Sequence, residues 1–392
     1  MPYGNILAEF VARFSGAKVT RAAAVARMVA LAFGFHTALI LGAMVLSDSI
    51  PCRAAAGFVN PAVTGVLPFI AKLIRWDAHW YTYIAEYGYT SQNIVFFPAI
   101  IMLIKMLAWL GADYITAGFF LCNLFTLISY YMMAKIFLLD FSVTETKRAL
   151  LVYAVIPTTF FLNSVYTEPL FLVFSLACLY WLRAGGFWRA GMFAALAAVT
   201  RNLGIALVLV LFLEYAKYYR AVRKFKLSLL SIVLPVMAVA VFVIYNKFMF
   251  GDALAFIHSQ QLWGRRVGFP WDNIWHNLRL LQAGVPLTEA GMYLDMVLVV
   301  LTLTALLAVS LLPRYRIPWP YIITGWLWFL VPLFSTSPIY PLYSMARFVL
   351  IVLPLYLFVA KLPNAVFYVF ICASAAGLIV CTAFFINWYW LG

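Results

Sequence analysis

From Asn364 to Ile386 the chain runs without a single charged side chain. One crossing of a bilayer core takes about 20 consecutive apolar residues. Comparable runs cover 25–46, 114–137, 227–248 and 292–312, each interrupted by no more than an isolated charge. Composition closes the argument: 66% of the residues are hydrophobic and 10% charged, against about 45–50% and about 25% in ordinary globular domains. A soluble core cannot hide that much apolar surface. A soluble enzyme, a secreted disulfide scaffold and a disordered chain are excluded. The sequence predicts an all-α polytopic membrane protein, a single integral-membrane domain over 1–392.

The net charge of +14 comes from 27 Lys and Arg against 13 Asp and Glu. Much of the excess is clustered. Arg13, Lys18, Arg21 and Arg27 flank the first apolar run, which reads as a signal anchor with a cytoplasmic N-terminus. Lys217, Arg220, Arg223, Lys224 and Lys226 form the most basic stretch, and Arg314 and Arg316 mark another turn. Basic residues accumulate on cytoplasmic loops, so these clusters predict the inner side.

Further apolar segments lie at 96–110, 149–163, 168–183, 190–214, 319–334 and 345–361. Two polar loops, about 48–95 and 249–290, are read as external. An even number of crossings must separate the N-terminus from 215–226. One solution makes every intervening segment a full span. A second treats 96–110 as re-entrant or superficial and breaks 190–214 at Arg201, leaving half-helices of about 12–14 residues, short for a span. The second keeps Lys147, Arg148, Arg183 and Arg189 inside and gathers Asp77, Glu168 and Arg201 outside, so charge favours it. The total is about 10–12 transmembrane or re-entrant helices.

Ionisable residues beside apolar runs are costly and therefore mark function by default. The densest case is Arg75-Trp76-Asp77-Ala78-His79-Trp80-Tyr81. Aromatic walls raise a carboxylate's pKa and stack on a sugar or headgroup, whereas Arg75 acts the other way. Asp77 suits a general base acting on a hydroxyl; an interfacial aromatic belt with a solvated Asp is the competing account. Phe96-Phe97-Pro98 reads as a helix start. Glu168 opens another helix, either as a favourable first-turn charge or as a carboxylate offered to a ligand. Arg201, in Thr200-Arg201-Asn202-Leu203-Gly204, needs a carboxylate or phosphate, and Glu168 is one candidate partner. Arg347 is either a snorkelling boundary residue or a phosphate ligand. Asp252, His258, Asp272 and His276 match no metal spacing and read as solvated, and Asp295 and Lys105 stay ambiguous. No nucleotide-binding motif is present.

Taken together, Arg75-Trp76-Asp77-Ala78, Ile84-Ala85, Gly88-Tyr89 and Phe96-Phe97-Pro98 resemble the N-terminal signature of the PIG-V type mannosyltransferases. Tyr166-Thr167-Glu168, Thr200-Arg201-Asn202 with Gly204, and Ser344 with Arg347 and Pro354 resemble its later landmarks in the same order. The resemblance implies a multi-span GT-C glycosyltransferase whose site opens on the non-cytoplasmic face. It implies inverting transfer of a mannosyl or related hexosyl residue from a polyprenyl-phosphate sugar to a lipid-linked or glycan acceptor. Asp77 would be the base, Arg347 and Arg201 would hold the donor phosphate, and Glu168 would orient the acceptor. Arg75 would compensate Asp77 or touch phosphate. Trp76, His79, Trp80, Tyr81 and Asn202 complete the expected substrate-binding set. No cofactor or nucleic acid is expected; a divalent metal stays open, although no ligand cluster is visible. Two departures stand out: Trp80 stands where the eukaryotic motif commonly has a His, with His79 one place earlier, and Pro98-Ala99-Ile100-Ile101 stands where a second Pro is common. These departures mean that acceptor specificity does not carry over. The short N-terminus and compact loops point to a bacterial cytoplasmic-membrane enzyme, its site facing the periplasm or exterior. The rival class is a transporter or flippase with a broken helix at Arg201, against which no inverted repeat is visible. A third is a non-catalytic subunit on the same scaffold.

Overall fold

A computed structural model describes residues 18–53, 66–223, 226–286 and 289–391; Arg13, Lys224 and part of the first polar loop lie outside them. Among the described residues, five helices are long and apolar enough to cross a membrane: Ala22–Ser49, Tyr114–Asp140, Leu227–Phe250, Ala290–Leu311 and Asn364–Ile386. The protein is an all-α polytopic membrane protein. Among the described residues, strand structure is confined to the antiparallel pair Arg266–Val267 and Ser335–Thr336.

Local chemistry sets the element ends. Asp113 caps Tyr114–Asp140 by accepting from Thr116 N at 2.8 Å. Ser142 and Glu145 form a reciprocal capping box at the start of Val143–Val155. Proline overrides hydropathy at two places. The expected run 149–163 is instead a helix ending at Val155, because Ile156 is extended (φ −51°, ψ 133°) ahead of Pro157. Likewise 345–361 is no single span: a short helix Met345–Phe348 and a tight turn precede Leu353–Ala360, with Pro354 in its first turn. The irregular stretch 158–168 is fully enclosed by protein, which irregular backbone at membrane depth requires.

The run 190–214 is broken as the charge argument expects. Helix Phe187–Ala198 ends, Arg201 is extended, Asn202–Ala206 forms a tight turn, and Leu207–Val222 continues. Gly204 permits the break: a Cβ there would fall 2.3 Å from Ala197 backbone atoms. The 12-residue helix Pro98–Trp109 opens beside it, Ala99 N donating to Val199 O at 3.1 Å. That helix folds back on the first turns of Tyr114–Asp140, where Gly118 meets Ile104 and Val165.

Helix Glu168–Arg183 links two chemically different ends of the molecule. Glu168 stands at its start among other ionisable groups, whereas Arg183 at its finish pairs with Asp140. At 1.5 Å per residue these lie about 22 Å apart along the axis. The Arg183 end also holds the Tyr321–Asp140 hydrogen bond, Arg148 on Leu362 O, and Lys361 on Arg316 O. Basic side chains crowd that end.

Candidate active site

Asp77 begins an amphipathic helix, Asp77–Tyr87, which buries Ala78, Tyr81, Thr82, Ile84 and Ala85 and closes at Gly88, φ 88°. The preceding Trp76 has φ 52° and ψ −119°, a conformation a bulky residue holds only when its surroundings enforce it. Trp76 is clamped edge-on by Trp388 and Trp390, at 5.5 and 5.1 Å between ring centroids. Ser344, ahead of the Met345–Phe348 turn, and Trp388 also hold positive φ, 62° and 66°. Asp295, buried in Ala290–Leu311, accepts from Ala346 N at 2.6 Å and pins that turn.

These elements bring four charged side chains together. Arg347 Nη1 donates to Asp77 Oδ2 at 2.5 Å, and Arg347 Nε donates to Glu168 Oε1 at 3.0 Å. Arg201 Nη1 donates to the same Glu168 oxygen and to Thr167 Oγ1 at 3.2 Å. The Arg347 guanidinium lies 4.5 Å from the Tyr166 ring centroid, and Arg201 5.0 Å from that of Phe348. Glu168 is wholly buried between the two arginines. Asp77 Oδ1 makes no hydrogen bond among the described residues, at a side chain that keeps 20% of its surface exposed.

A cavity of about 110 Å³ is lined by Asp77, Tyr81, Arg201, Asn202 and Arg347, and also by Trp263, Arg265, Tyr343 and Trp390. Burial pushes the Tyr81 hydroxyl up to about 12, against the opposing pull of Arg347, so it is a phenol at neutral pH. The aromatic rings give the cavity flat apolar faces of the kind sugars stack on, beside a carboxylate with one unspent oxygen.

The remaining expected residues support this wall from behind. Arg75 does not pair with Asp77. It donates to Ile386 O at 2.7 Å and to Ala71 O and Ile74 O at 2.6 and 2.9 Å, and lies 4.7 Å over the Trp388 ring. Burial lowers it to about 10, still a cation. His79 stacks on Trp388, and burial, then the Arg75 charge, lower it to about 4. Trp80 lies between Phe96 (6.2 Å, stacked) and Trp263 (5.4 Å, edge-on). Asp272 and His276 are exposed, and His258 pairs with Asp252 at 2.6 Å. Among the described residues no group of three or more His, Cys, Asp or Glu gathers as metal ligands would; Asp77 and Glu168 both converge on Arg347 instead.

Arg265, Trp388 and Trp390 are not among the residues the sequence singles out, and Asp295 is left ambiguous there. Asp295 carried a signal as a carboxylate inside an apolar run. The other three had none beyond residue type.

The profile of the family described as Mannosyltransferase (PIG-V) matches residues 17–271. This interval holds Asp77, Glu168 and Arg201 and stops short of Arg347. GPI alpha-1,6-mannosyltransferase 2 of Rattus norvegicus is 31% identical over 172 residues, covering 41% of this chain and 34% of that protein. The Mus musculus protein of that name is 30% identical over 167 residues (40% and 33%), and the Homo sapiens one 28% over 172 (41% and 34%). The chain thus matches about a third of the length of these relatives.

Proposed function

The chain belongs to the PIG-V mannosyltransferase family, and on that premise we propose that it is a membrane glycosyltransferase that moves a mannosyl residue from a polyprenyl-phosphate sugar to a glycolipid or glycan acceptor. The observation that carries the proposal is Asp77: one oxygen is fixed by Arg347, the other is unspent, and the side chain lines an aromatic cavity.

In the proposed reaction an acceptor hydroxyl gives its proton to Asp77 while its oxygen attacks the anomeric carbon. The bond from that carbon to the phosphate oxygen breaks, the electron pair leaves with the phosphate, and configuration inverts. General-base help of this kind contributes about 10²–10⁴-fold. Arg347 and Arg201, expected from sequence to hold phosphate, already hold carboxylates, so their proposed role is to fix Asp77 and Glu168. Glu168, wholly buried, organises the arginines rather than the acceptor.

The proposal sets the site on the non-cytoplasmic face, in a bacterial cytoplasmic membrane. The crowding of Arg148, Arg183, Arg316 and Lys361 at the opposite end supports that orientation. Family membership weighs against a transporter or flippase. The test is mannosyl transfer by the purified protein offered, separately, polyprenyl-phosphate mannose and GDP-mannose with a membrane lipid extract. Product from the lipid donor alone supports the reading. Product from the nucleotide sugar alone overturns its donor.

A further inference from the structure

A second cavity, about 900 Å³, opens beside the first and shares Phe97, Asn202, Gln260, Arg265 and Phe348 with it. Beyond these its wall is mostly apolar, with Phe256, Ile257, Val331 and Phe334, and it also carries His258, Gln261 and Arg266. Arg265 stands where the polar chamber and the apolar groove meet.

The backbone fixes it there. Gly264 turns the chain at φ 68°, and Arg265 N donates to Gln260 O at 3.1 Å. The next residue, Arg266, pairs with Thr336. Trp263 Nε1 donates to Gln92 O at 2.9 Å and Ser259 Oγ to Ser91 O at 2.7 Å, so the turn is anchored to the loop ahead of Phe96. The guanidinium rests 4.5 Å from the Tyr343 ring centroid.

Charge singles it out within the first chamber, which Arg266 does not line. Asp77, Glu168, Arg201 and Arg347 sum to zero. Of the three arginines lining the catalytic chamber, Arg265 alone makes no ion pair among the described residues.

We propose that Arg265 holds the phosphate of the lipid-linked donor and that the polyprenyl chain lies in the adjoining apolar groove. This rests on the donor class proposed above. The donor phosphodiester carries one negative charge, which Arg265 balances. When the anomeric C–O bond breaks, the electron pair stays on the phosphate oxygen and the leaving monoester becomes a dianion. The acceptor's proton has meanwhile gone to Asp77, so the four-residue network gains one positive charge. Proton transfer at Asp77 and charge build-up at the phosphate are thereby matched across Arg347 and Arg265.

The test measures affinity of the purified full chain for undecaprenyl phosphate, with inorganic phosphate as competitor, beside donor KM and kcat. Arg265→Gln is expected to weaken lipid-phosphate binding and raise donor KM about 10- to 100-fold, the loss of a charge-assisted hydrogen bond. Arg265→Lys should recover part of both. Ile257→Trp, which fills the groove without touching the charge, should weaken the lipid and leave inorganic phosphate competition unchanged. If Arg265→Gln fails to fold, Arg265→Lys and Ile257→Trp carry the test. Wild-type affinity and donor KM in Arg265→Gln, with mannosyl transfer intact, would overturn the inference and leave the proposed function standing. If inorganic phosphate displaces the lipid at equal concentration and Ile257→Trp has no effect, the groove assignment falls. A wild-type protein that neither binds undecaprenyl phosphate nor uses its mannosyl ester overturns the functional reading itself.

Discussion

Arg347 donates from Nη1 to Asp77 Oδ2 at 2.5 Å across 270 residues of sequence. The same guanidinium reaches Glu168 through Nε, so one planar fork sets two carboxylates at once. A lysine ammonium is a single point charge and cannot make both contacts in that geometry.

Arg347→Lys is therefore expected to fold and to lose transfer about 10-fold or more, through loss of one charged hydrogen bond. Arg347→Ala leaves Glu168 buried with only Arg201 and should cost about 3–5 kcal/mol of stability. Thermal unfolding in detergent beside turnover checks both. Wild-type turnover in Arg347→Lys would remove the fork from the account.

Asp295 acts on the same arginine at one remove, by accepting from Ala346 N. Asp295→Asn keeps an oxygen acceptor and should retain most activity. Asp295→Ala leaves a buried N–H unsatisfied, a loss of about 1–3 kcal/mol, and should lower kcat with little change in donor KM. Equal kcat for the two variants would count against a positioning role.

Gly204 lets the broken helix close on itself. Gly204→Ala sets a methyl 2.3 Å from Ala197 backbone atoms, and backbone cannot swing aside as a flexible side chain can. The expected loss is about 1–3 kcal/mol, as for other overpacked sites. An unchanged unfolding temperature would show that the break at Arg201 does not depend on this contact.

How much of this was legible in sequence follows from what burial costs. Asp77, Glu168, Arg201 and Arg347 could be picked out because charges beside apolar runs need a reason, and the break at Arg201 followed from loop charge. The Arg201–Glu168 pair was among the partners the sequence offered, and it forms. The partner of Asp77 was not legible, because Arg75, two residues before it, spends its donors on carbonyls and Arg347 supplies the contact. Arg265 sits in a long polar loop, where a basic residue reads as solvated. Trp388 and Trp390 follow the last apolar run with no charged neighbour to mark them. The helix ends at Val155 and before Leu353 were missed because hydropathy is blind to backbone, although Pro157 and Pro354 were there to read.

His79 makes a pH prediction with a definite sign. Its folded value, about 4, lies below its ordinary 6.5. Between these values the unfolded chain binds the extra proton, so stability is full above pH 6.5 and falls as pH drops toward 4. His79→Gln should flatten that part of the stability curve. A wild-type curve already flat over this interval would contradict the burial argument.

The central claim is that Asp77 takes the acceptor's proton. The most direct measurement is transfer of labelled mannose from polyprenyl-phosphate mannose by wild type and Asp77→Asn, each first shown to be folded by its thermal transition. The account predicts labelled glycolipid from wild type and a rate at least about 100-fold lower from the variant. A folded Asp77→Asn that transfers mannose at near the wild-type rate would contradict it.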